Sequence, residues 1–164
     1  IETGATPISS SINSIYPQLR KNREARMSTQ LFKKWTQAVV NSDWDSMSSL
    51  YAEDIVNLNP DGTTNVGKEA CLEKDKSWDS AFSDFKFDVV NSMESGNTTV
   101  MEVQITCTMT GEMMIPDGSK ISPTGKTHTF PYCMIMEWEK SQIRRQRNYG
   151  DLISFMEGFG IMPS

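Results

Sequence analysis

Leu31, Trp35 and Val39 recur at i, i+4 and i+8 through TQLFKKWTQAVVN, with Phe32 and Ala38 beside them. Polar residues fill the opposite side, so the spacing predicts an amphipathic helix over residues 29–41. In SDWDSMSSLYAED, Ser42 stands three residues before Asp45 in a capping-box arrangement, and Trp44, Met47, Leu50 and Tyr51 then line one face of a second short helix. DIVNLNPDG reads as a strand closed by a turn. Helical spacing returns over residues 66–82, with Cys71, Lys74, Trp78 and Phe82 on one side. After that the period becomes two. Phe85, Phe87 and Val89 alternate with polar neighbours, ESGNTT supplies a hairpin turn, and Met101, Val103, Ile105, Cys107 and Met109 share one face of a strand running from Thr99 to Thr110. A strand over 127–139 and a tight turn at Lys140 and Ser141 lead to a last strand, which ends in Asp151 and an apolar tail. This order predicts an α+β fold: a strongly curved antiparallel sheet wrapped around three helices, forming a conical barrel with an open pocket.

Length and apolar content fit one domain with a substantial core, here residues 28–164. Residues 1–27 are rich in Ser, Thr and Asn and end in a basic cluster, which reads as a polar N-terminal extension. They are either a solvated leader or an arm that ties the domain to a partner through Ile8, Ile12, Ile15 and Leu19. The net charge of −5 disfavours nucleic acid as a partner. No run of 18 apolar residues predicts a transmembrane segment. Cys71, Cys107 and Cys133 are widely separated and set in apolar patterns, so they read as buried thiols, and with His128 the only histidine neither a metal site nor a cofactor is expected. A chain beginning at Ile1 fits removal of a leader, with an organelle interior as the destination; otherwise the cytoplasm is expected.

DWDSMSSLYAEDIVNLNPDG, PTGKTHTF and RRQRNYGDLISFMEGFG, in this order and over residues 29–160, resemble the SnoaL-like polyketide cyclase family of the nuclear transport factor two-like superfamily. The resemblance implies a cone-shaped domain with a pocket between the concave sheet face and the helices. It also implies an acid-base Asp at the position of Asn148 and a supporting His at that of Met134; this chain has neither. An amide has no useful proton affinity near neutral pH, so Asn148 is better suited to holding than to proton transfer.

If the last two strands pair through the Lys140–Gln142 turn, Asn148 and Met134 face the same side as Phe130, Tyr132, Met136 and Gln146. Together with Asn57, Asn59, Trp78 and Phe82 these form the expected ligand pocket, with Asn148 and Tyr132 as orienting donors and Asp151 the remaining acid near the mouth. Arg145 and Arg147 fall on the opposite face, where they suit a protein partner or a second copy, or pair internally across the sheet. Two functions follow. One is a non-catalytic binding or assembly subunit, a pseudoenzyme meeting other proteins through its outer sheet face and extension and keeping an apolar pocket. The other is a lyase, isomerase or cyclase acting on an apolar, polyketide-like carbonyl compound.

Overall fold

The computed structural model describes residues 17–115 and 118–162, with side chains from Thr29 onward. The expected docking positions Ile8, Ile12 and Ile15 lie outside the described residues, as does the side chain of Leu19. Helix α1 spans Pro17–Val40 and so starts well before Thr29. Its added residues include good helix formers, Arg20, Lys21, Arg23 and Glu24, and proline at a first helical position forfeits no needed N–H. Helix α2, Trp44–Leu50, is capped by Asp43, whose carboxylate accepts from the Ser46 amide. Ser42, the expected cap, instead takes φ 50° in the tight turn and donates its hydroxyl to Asp79.

Strand β1 is Tyr51–Leu58, β2 is Thr64–Val66, and helix α3 is Lys68–Ala81. Strands β3, Phe82–Ser95, and β4, Thr98–Met109, form a long hairpin. The short β5, Met113–Met114, and β6, Lys120–Ile121, pair with each other. Strands β7, Thr127–Glu139, and β8, Gln142–Gly150, then form a second hairpin. The main sheet has the order β2-β1-β8-β7-β4-β3. Every ladder in it is antiparallel except β1 with β8. Bulges in β1/β8, β3/β4 and β7/β8 help to bend it. No ladder joins β2 to β3, so the sheet is strongly curved but does not close into a barrel.

The concave face carries the core. Met101, Val103, Ile105, Cys107 and Met109 are buried, as the alternation predicts. Phe32, Trp35, Met47 and Tyr51 reach this layer from α1, α2 and the start of β1. The apolar tail is a fourth helix, α4, Leu152–Phe159, in place of the three expected. Asp151 caps it, accepting from the amides of Ile153 and Ser154, and Gly160 ends it in the left-handed region at φ 70°. Phe155 and Phe159 of α4 join Phe82, Phe130 and Trp78 in an aromatic cluster.

Candidate functional site

Between the helices and the concave sheet face lies a cavity of about 110 Å³, lined on most sides by aromatic and aliphatic groups. Trp35 comes from α1, Trp44 and Met47 from α2, Trp78 from α3, Phe85 and Phe87 from β3, and Phe130, Tyr132 and Met134 from β7. The polar groups in its wall come from two places. One is the β1–β8 seam, which contributes Asn57, Gln146, Asn148 and, just past β1, Asn59. The other is the inner face of α3, which contributes Lys74, Asp75 and Asp79.

The seam residues form a relay of amides, each 4–7% exposed. Register sets it up: Met134 stands opposite Asn148, Met136 opposite Gln146, and Asn57 beside Gln146 across the parallel ladder. Asn148 Nδ2 donates to Leu58 O at 3.1 Å and to Asn57 Oδ1 at 2.7 Å, and its Oδ1 accepts from Gln146 Nε2 at 2.9 Å. Both protons of the Asn148 amide are therefore committed inside the protein. Asn148 holds the wall together and has no N–H left for a ligand. Asn59 is similarly engaged, donating to Asn65 and Thr63.

Of the two carboxylates in the wall, Asp75 and Asp79, Asp75 is the one bonded to a tyrosine hydroxyl. One of its oxygens accepts from the Tyr51 hydroxyl at 2.7 Å, and that hydroxyl in turn accepts from Trp35 Nε1 at 3.1 Å. Burial pushes the Asp75 carboxyl up to about 7, against the downward pull of the Tyr51 hydrogen bond and of Lys74. Burial, then the Asp75 charge, raises the Tyr51 phenol well above its ordinary range. The same two causes, in the same order, raise the Tyr132 phenol, so Tyr132 senses Asp75 across the cavity. Gly150 makes room for Tyr132: they are register partners, and a Cβ on Gly150 would lie 3.0 Å from the Tyr132 ring.

Of the expected pocket residues, Asn57, Asn59, Trp78, Phe130, Tyr132, Met134, Gln146 and Asn148 line the cavity. Phe82 and Met136 do not; both are fully buried core, Phe82 stacking on Trp78 from the first position of β3. Asp151 is exposed at the start of α4 and occupied as its cap. Arg145 is exposed, while Arg147 pairs with Glu137 at 2.9 Å across β7/β8, as an internal cross-strand pair would. Arg144 bridges Asp54 and Glu139 on the same outer side. His128 is half-buried against Phe130 and Phe159, away from Asp75. Asp75 and its partner Tyr51 are site residues that sequence reading did not single out. One signal was present: Asp75 lies four residues after Cys71 and three before Trp78, on the helix face that turns inward. Among the described residues no group of three or more His, Cys, Asp or Glu side chains is placed to hold a metal ion.

The family model for SnoaL-like polyketide cyclases matches residues 30–158. A candidate SnoaL-like polyketide cyclase from Jannaschia sp. CCS1 superposes with a TM-score of 0.72 at 15% identity, over 99% of this chain and 100% of that one. A candidate polyketide cyclase from Xanthomonas campestris pv. campestris gives a TM-score of 0.71 at 20% identity, over 83% and 98%. An epoxide hydrolase of M. tuberculosis gives 0.66 at 14% identity, over 82% and 90%. At these identities the structural likeness carries the fold alone. No curated protein sequence matches the chain.

Proposed function

Because the chain belongs to the SnoaL-like polyketide cyclase family, we propose that its cavity binds a small, largely apolar carbonyl compound and that Asp75 moves a proton on it. The observation that carries this reading is a carboxylate whose pKa sits near 7 in an aromatic-walled pocket. A carboxyl raised by burial toward neutral pH suits a residue that both accepts and returns a proton. The absence of Asp and His at positions 148 and 134 removes the acid-base pair that the family resemblance implies, and Asp75 supplies an equivalent group from α3.

In this scheme the free form of Asp75 removes a proton from the carbon next to the substrate carbonyl, and the electron pair shifts onto the carbonyl oxygen. The Tyr132 hydroxyl and Asn57 Nδ2 have no protein acceptor among the described residues and lie in the cavity wall, so they suit the developing oxyanion. The resulting enolate is then reprotonated at carbon by the Asp75 carboxyl, attacks an electrophilic carbon of the same molecule, or expels a leaving group; these are the isomerase, cyclase and lyase outcomes. Hydrogen exchange tests the shared first step. In D2O the protein should accelerate deuterium entry next to the carbonyl of 2-tetralone, and Asp75→Asn should cut that rate by about 10²–10⁴-fold. Unaccelerated exchange in the wild type, or an unimpaired Asp75→Asn variant, would overturn the scheme.

The non-catalytic reading draws support from the outer sheet face, where Met93 and Tyr149 are exposed. Native mass spectrometry separates the two: a larger complex with an unoccupied pocket favours a binding or assembly subunit, and retained small molecule favours the pocket.

A further inference from the structure

Gln146 is 5% exposed and lines the cavity, yet its Oε1 is buried with no hydrogen-bond partner among the described residues. The relay dictates this. A backbone carbonyl can only accept, so Leu58 O fixes which end of the Asn148 amide is nitrogen. Asn148 Oδ1 must then face Gln146, which has to present Nε2 to it. Gln146 Oε1 is left over as an acceptor, and at the other end of the relay Asn57, its own oxygen taken by Asn148, is left with a donor. A buried acceptor with no partner is destabilising, so the site is best completed by something that donates.

We infer that Gln146 is the specificity-determining residue of the pocket, accepting a hydrogen bond from a hydroxyl of the ligand, and that the compound bound is a hydroxylated carbonyl compound. The seam leaves one buried acceptor, Gln146 Oε1, and one donor, Asn57 Nδ2, unpaired, and such a ligand answers them with a hydroxyl and a carbonyl oxygen. A carbonyl compound without a donor leaves Gln146 Oε1 unsatisfied. This inference rests on the small-molecule reading of the cavity and narrows it to one chemical class.

The test is calorimetric binding of 2-tetralone, its four ring-hydroxylated isomers and the matching methyl ethers to the full chain. A methyl ether keeps the oxygen and removes the proton. At least one hydroxy isomer should bind about 10–100-fold more tightly than both its methyl ether and the parent ketone. In Gln146→Met, which removes the acceptor and also the Nε2 donor to Asn148, the advantage of the hydroxy compound over its methyl ether should vanish. If hydroxy, methoxy and parent compounds bind the wild type alike, the role of Gln146 is wrong and the pocket reading stands. If none binds, the pocket reading fails and the inference falls with it. The wild-type series decides the matter even if the variant does not fold.

Discussion

At the scale of single residues, Asp75 governs how the protein should respond to pH. Its carboxyl is raised to about 7 from 3.8, so between those values the folded state holds a proton that the unfolded chain has released. Stability from this residue is therefore greatest below about pH 4 and is lost as the pH rises toward 7. Asp75→Asn should raise the melting temperature relative to wild type at pH 8, by more than ~1 kcal/mol or about 2–4 °C, and should give little gain at pH 4. Scanning calorimetry at the two pH values checks this. Tyr51→Phe removes a hydrogen bond that favours the charged carboxylate, so the pH at which tetralone exchange reaches half its plateau should move upward. An unchanged or downward profile would detach Tyr51 from the titration. Sequence reading put Asn148 on the same side as Met134, and the structure does so through the bulge at Glu137/Trp138, since the two-residue turn alone would set Arg147 opposite Met134. Sequence reading missed Asp75 because CLEKDKSWD carries three acids, and periodicity alone does not say which of them a neighbouring strand will cover.

At the scale of elements, alternation was the most legible signal. β4, β7 and β8 came out close to their expected limits because one face of each is packed and the other is not. Helix ends were less legible: two candidate caps, Ser42 and Asp43, stand side by side, and the chain uses Asp43 because Ser42 is drawn into the turn toward Asp79. The fourth helix went unread because LISFMEGF is short and nearly all apolar, and such a run reads alike as a helix, a strand or a buried tail. Its capping predicts a clear mutational contrast. Asp151→Ala should lower unfolding free energy by about 1 kcal/mol, whereas Asp151→Asn, an equally good cap, should leave it nearly unchanged in chemical denaturation. Equal losses would mean that the charge of Asp151, and not its capping oxygen, is what α4 needs.

At the scale of the whole molecule, the sheet has a packed concave face and an outer face with Cys133 half-buried on it beside Tyr149. Cys71 and Cys107 lie in the core, where burial pushes their thiols up to about 11 and about 12. Native alkylation with iodoacetamide should therefore label Cys133 first and leave the other two until the chain unfolds, as peptide mass mapping will show. Labelling of Cys133 that slows as protein concentration rises would put a second copy over that face. The amide relay also lies across the sheet's one parallel junction, and Asn57 and Asn148 are 91 positions apart in the chain. The two hairpins can form from near neighbours, but this seam needs the largest loop closure in the sheet and belongs to the slow, late phase of folding. Ligand-binding competence should consequently appear in refolding experiments with the last kinetic phase, after most of the strand signal has recovered.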